Sequence, residues 1–182
     1  MKAKICMLTL LFLLMAVIPL VLAIQTVKNA PSAPRDPTDE SAAVSAAAAL
    51  CDENSGEEVI KAAVILVKTN FLAGEAVKTE DDNSKEELIE RVAAVYHSNK
   101  EILTYRGKAV AVPFSECSNG FTEKGEAEYI KAVASPWDCF NKEYRADLIC
   151  RGVSISGIKT LCGMGLSAEE ALKWYLPELA IG

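Results

Sequence analysis

From Val59 to Val67 the chain is apolar at every position except Lys61, so a helix built here has almost no polar side. Such a helix is expected at the centre of a domain. Ser55-Gly56-Glu57-Glu58 stands just before it, with a serine three residues ahead of a glutamate, and the same spacing recurs at Ser84–Glu87 and Ser167–Glu170. In a capping box the hydroxyl accepts from an orphan amide and the carboxylate reaches back to the serine amide. The three boxes predict helices over 57–73, 85–98 and 168–176. Gly74 supplies a left-handed terminator to the first and Pro177 stops the last. The second carries Leu88, Ile89, Val92, Ala93, Val95 and Tyr96 on one side and charges on the other. It should pack by one stripe.

The alanine-rich stretch 39–51 reads as a further helix on propensity. At Ile102 the period changes to two, and 102–105 and 109–114 read as strands around Arg106-Gly107-Lys108. This hairpin is the clear β signal of the chain. Residues 123–134 read as helical up to Ser135-Pro136, and 137–161 as one long helix or two broken near Gly152. On an unbroken helix Cys139 and Cys150 would share a face yet lie too far apart to bond to each other.

Residues 1–23 follow a different pattern: Lys2 and Lys4 precede an apolar run from Met7 to Val17, and Val21-Leu22-Ala23 offers small residues. This is read as a cleaved signal peptide, with an uncleaved anchor as the rival reading. After cleavage no apolar stretch is long enough for a stable membrane span. Residues 24–38, with Pro31, Pro34 and Pro37, read as a linker, and 39–182 as a single, mainly α, multi-helix domain.

The leader places the protein outside the cytosol, secreted to a periplasm or beyond, where thiols tend to oxidise. The chain has six cysteines, of which Cys51, Cys117, Cys139, Cys150 and Cys162 remain after the leader is removed. Two disulfides and one leftover thiol are therefore expected, with the pairing left open. The expected fold is a compact multi-helix domain with one small β-hairpin, cross-linked by disulfides.

Charge narrows the partner. Without residues 1–23, 17 Lys and Arg stand against 25 Asp and Glu. That balance speaks against nucleic acid and against anionic lipid. No Cys-x-x-Cys, Walker glycine loop or dinucleotide fingerprint occurs, so no cofactor, metal or catalytic residue is assigned. His97 is the one histidine of the chain. Its place near a helix end suits an imidazolium against the last carbonyls better than catalysis. The glutamate pairs 57/58, 86/87 and 169/170 fall in first helical turns, where capping accounts for them. The acidic run 80–83 lacks the alternation and central glycine of a calcium loop.

Trp137, Phe140 and Tyr144 recur at helical spacing and, with Trp174 and Tyr175, concentrate aromatic character in the C-terminal third. Core packing is one reading and a partner-facing patch the other. The run Cys150-Arg151-Gly152-Val153-Ser154-Ile155-Ser156-Gly157, followed by Cys162 and an amphipathic terminal helix, resembles the C-terminal half of periplasmic immunity proteins that neutralise amidase toxins. That resemblance implies an inhibitor or toxin-neutralising role. The expected function is therefore a small non-catalytic binding protein acting through a protein–protein surface. The alternative is a carrier of a small hydrophobic ligand in a helical cavity.

Overall fold

The computed structural model describes residues 40–75 and 86–182. The leader, the linker and the acidic run 80–83 lie outside the described residues. Five α-helices are present among those described: α1 (Glu40–Ala48), α2 (Glu57–Leu72), α3 (Glu86–Ser98), α4 (Ile155–Gly163) and α5 (Ala168–Tyr175). None is long and apolar enough to cross a membrane.

Helix α2 is the axis of the core, with eleven of its sixteen residues buried. One side of it, through Ile60, Val64, Val67 and Phe71, meets α1 and the stripe Leu88, Val92 and Tyr96 of α3. The other side, through Ala62, Ile65 and Leu66, meets Ile158 and Leu161 of α4 and Leu172 and Tyr175 of α5. A helix apolar all round thus joins two packed layers.

The expected hairpin is β1 (Leu103–Tyr105) with β2 (Lys108–Ala109), closed by Arg106 and Gly107 at φ 51° and 76°. Two successive left-handed residues give the tight turn whose twist suits antiparallel strands. β1 has a second partner that the sequence reading lacked, β5 (Ala180–Ile181), in register Leu103 with Ile181. The hairpin is therefore an edge of a three-stranded sheet. Behind it, Thr69 of α2 accepts from the Leu103 amide at 2.8 Å, and Asn70 exchanges two hydrogen bonds with the Val112 backbone. Asn70 acts there as the missing strand neighbour for residues that follow β2.

The region 116–154 departs from expectation. Residues 123–134 form no helix. Phe121 bridges Ala134 and Glu123 bridges Arg151 across an irregular loop. Nor is 137–161 one helix: a 3₁₀ turn, Pro136–Phe140, gives way to turns, then to β4 (Val153–Ser154), which pairs in parallel with β3 (Phe114–Ser115). Gly152 explains the interruption. Its φ of +81° lies in the left-handed region, and a Cβ there would sit 2.1 Å from the Pro113 carbonyl oxygen. No helix tolerates that conformation.

The disulfide cross-links are overturned, since all five cysteines among the described residues are free thiols. Burial accounts for four of them: Cys117 and Cys150 are buried and Cys51 and Cys162 half-buried, each thiol pushed up by desolvation. Cys51 reaches about 12 and Cys150 and Cys162 about 11. A thiol held protonated this way behaves as a small apolar side chain. With the cross-links goes the structural support they were expected to lend to an oxidising compartment.

Candidate functional site

Asp138 is fully buried, and its place in the 3₁₀ turn puts its carboxylate under the loop that follows β3. One oxygen, Oδ2, accepts from the Ser118 amide at 3.1 Å, the Ser118 hydroxyl at 2.6 Å and the Ser135 hydroxyl at 2.8 Å. The other, Oδ1, has no hydrogen-bond partner among the described residues. A buried charge is tolerable only where donors converge on it, and here two serines and a backbone amide do so.

The bonds continue outward in one direction. Ser135 gives its proton to Asp138, so its oxygen can only accept from Tyr175, whose hydroxyl lies 2.7 Å away. The Tyr175 oxygen in turn accepts from the Trp137 indole N–H at 3.1 Å. Indole, phenol, hydroxyl and carboxylate form a polarised chain from the surface to the interior. Tyr175 is wholly buried, and burial pushes its phenol up to about 12, so it remains a proton donor across the physiological range. Gly157 makes the geometry possible, because a Cβ at that position would lie 1.7 Å from the Tyr175 oxygen.

At the outer end of this chain Trp137 meets a second indole. Trp137 packs on Trp174 with ring centroids 5.4 Å apart and planes tilted by 55°. The Trp174 N–H is satisfied by the Ala134 carbonyl at 2.9 Å. Phe121, paired with Ala134 across the bridge, is half exposed, and Phe140 is 91% exposed. Tyr144 and Ile149 are also exposed, in the loop where the Asn119 side chain donates to the Ala146 carbonyl. Of the five aromatic residues singled out in the sequence, Trp137 and Trp174 are brought into contact, Phe140 and Tyr144 are exposed, and Tyr175 is wholly buried. The helical spacing expected of Trp137, Phe140 and Tyr144 is absent, since the 3₁₀ turn ends at Phe140.

The remaining candidates serve the fold. His97 lies in the last turn of α3, exposed, with the Glu40 carboxylate 3.9 Å away. Glu58 leaves its expected capping box and accepts from the Ala168 amide at 2.7 Å, at the start of α5. Ser55 accepts from Asp52 instead, and Gly56 occupies the cap of α2. The box at Ser167–Glu170 forms as expected, while Ser84 lies outside the described residues. A cleft of about 580 Å³ opens beside the start of α2, between Asp52, Glu58, Lys159 and Cys162. Among the described residues no three His, Cys, Asp or Glu side chains are grouped to hold a metal ion. The apolar hole between Leu50, Val59, Leu66, Ile158 and Leu172 measures about 10 Å³, the room of one water at most.

Asp138, Ser118 and Ser135 were missed by reading motifs. The signal available was Ser135-Pro136-Trp137-Asp138, a polar pair three apart around a helix-starting proline, which marks a turn but not a buried network.

No family model matches the chain. It is similar in part to two curated proteins. Against stage II sporulation protein D of Bacillus amyloliquefaciens it is 33% identical over 85 residues, covering 43% of this chain and 24% of that protein. Against stage II sporulation protein D of Bacillus subtilis (strain 168) it is 39% identical over 59 residues, covering 29% of this chain and 17% of that protein. The chain thus matches less than a quarter of the length of either relative.

Proposed function

We propose that this chain is a non-catalytic binding protein that engages another protein through the face formed by Phe121, Trp137, Phe140, Tyr144 and Trp174. The observation that carries the reading is the exposure of large aromatic side chains, Phe140 being 91% exposed, in a chain that also holds a fixed indole pair. Aromatic residues are where interface energy concentrates, so exposed large aromatic side chains are the first candidates for a contact surface. Exposed charged residues of both signs, Lys142, Glu143, Arg145 and Asp147, follow Phe140 in the chain.

An inhibitor or immunity-type role is the form of binding favoured by the sequence reading. If residues 1–23 act as a leader, it is exercised outside the cytosol. The partial likeness to stage II sporulation protein D supports seeking the partner in a sporulating cell. The carrier alternative finds no support in an apolar hole of about 10 Å³.

The test is a photo-crosslinkable phenylalanine analogue at position 140, with a control at the exposed position 97. The expected result is one identified protein adduct at 140, absent at 97 and lost when Trp174→Ala is added. Adducts equal at both positions, or none at 140, overturn the reading.

A further inference from the structure

Residues Lys142 to Asp147 are exposed without a break, the longest such run among the described residues. The neighbouring stretch from Phe121 to Ile130 is irregular too, yet there each exposed residue is followed by a buried or half-buried one. The backbone of 142–149 is as loosely held as its side chains. Two turn bonds lie within the segment, from the Tyr144 amide to the Asn141 carbonyl at 3.0 Å and from the Leu148 amide to the Arg145 carbonyl at 3.2 Å. Beyond Asn141, the one hydrogen bond to another part of the chain among the described residues is that of the Asn119 side chain on the Ala146 carbonyl, at 3.4 Å. Both ends, by contrast, are pinned. Asp138 is gathered by Ser118 and Ser135, and the Cys150 carbonyl accepts from the Glu123 amide at 2.7 Å. An exposed stretch with few bonds between fixed ends opens locally at little cost. A protease, which must draw several residues into extended form, cuts where such opening is easy.

We infer that this segment is a site of limited proteolysis, cut after Arg145 by a protease whose specificity pocket carries a carboxylate for arginine, and that the cut chain stays one folded body. Water adds across the Arg145–Ala146 peptide bond: the C–N bond breaks, leaving a carboxylate on Arg145 and an ammonium on Ala146. The exposed aromatic side chains play no part in this.

The chain holds five arginines, and four of them lie among the described residues. Arg91 is in α3 and donates to the carbonyls of Glu53 and Ser55. Arg106 forms the turn of the hairpin and pairs with Glu128 at 2.8 Å. Arg151 is bridged to Glu123 and precedes Gly152, which abuts the Pro113 carbonyl. Arg145 pairs with Asp147, inside the same exposed run, so opening the segment carries both partners along. The cut also spares what holds residues 146–182 in place. β4 stays on β3 and β5 on β1, while Ile158, Leu161, Leu172 and Tyr175 stay packed with Ile65 and Leu66 of α2.

The test is limited digestion of the full chain under native conditions with an arginine-specific protease, read by fragment mass and amino-terminal sequence. Among the described arginines the first cut is expected after Arg145. Residues 146–182 should co-elute with the rest, helical dichroism should be retained, and the pieces should separate only in urea. Arg145→Gln should lose this cut and gain no other in the same interval. Val64→Ala, at a wholly buried position on α2, should lower the urea midpoint and leave the rate of the Arg145 cut unchanged, because local opening does not wait for global unfolding. A first cut after Arg91, Arg106 or Arg151 overturns the site. So does a rate at Arg145 that rises in step with the stability lost in Val64→Ala, since cutting would then pass through the unfolded chain. Release of 146–182 without denaturant overturns the persistence of the cut fold.

Discussion

A methyl group on Gly157 would lie 1.7 Å from the Tyr175 oxygen and 2.8 Å from the Trp137 indole nitrogen. Tyr175 cannot retreat, because its ring is wholly buried among α2, α4 and α5 residues. Gly157→Ala is therefore expected to cost about 2–4 kcal/mol, read as a lowered urea midpoint with unchanged slope. Asp138 belongs to the same scale. Removing its carboxylate strands the hydroxyls and the amide that it satisfies, two of them on Ser118 and one on Ser135. Asp138→Ala should lower stability by about 3–5 kcal/mol, while Ser135→Ala, which leaves Ser118 in place, should cost about 1 kcal/mol. Equal losses in the two variants, measured by the same urea titration, would show that the carboxylate is not the hub.

Helices α2 and α5 are joined by polar contacts as well as by packing. Lys61 of α2 bonds Glu169 at the start of α5 and pairs with Glu101 at 3.0 Å, and Glu58 caps the Ala168 amide. The hydrogen bond from Lys61 holds the Glu169 carboxyl down to about 2, against an ordinary value of 4.5. A carboxyl depressed in the folded state stabilises above its unfolded value and loses that contribution as pH falls from 4.5 through about 2. With both side chains part-exposed and screened, the pair is worth about 1 kcal/mol near neutrality. Lys61→Met should therefore be less stable than the parent at pH 7, with the gap closing by pH 2. A gap constant across that range would remove the assignment. Glu58→Ala should cost about 1 kcal/mol through the uncapped start of α5. These contacts also show what was legible. The capping spacing at residues 55–58 located α2 within a residue of its start, yet Glu58 reaches a partner 110 positions away, which no local pattern reports. The same limit explains the region 116–154. Its shape comes from Asp138 gathering Ser118 and from Gly152 meeting Pro113, long-range contacts that leave no period in the sequence. Apolar residues such as Tyr129, Ile130 and Val133 therefore imitated a helix.

For the whole molecule, the state of the cysteines links the fold to the question of compartment. Four of the five described thiols pack as apolar side chains and one, Cys139, stands exposed in the 3₁₀ turn beside Phe140. With burial holding Cys51, Cys117, Cys150 and Cys162 in the protonated form, the folded chain should show one fast-reacting thiol under a thiol reagent. Cys117 and Cys150, both buried, should react only as the fold opens. In denaturant the same titration counts every thiol, and that count depends on the leader. The full sequence holds six cysteines, and the sixth, Cys6, lies within residues 1–23. Protein recovered from the producing cell should thus give five thiols where residues 1–23 have been removed and six where they remain. Reduction should change neither its mass nor its count. A mass gain on reduction would return some of these cysteines to cross-links and replace packing by covalent closure as what holds residues 116–154 to the helices. An unchanged mass would leave that task to the buried carboxylate and its serines, so a variant lacking Asp138 should expose Cys117 to the reagent well before it exposes Cys51.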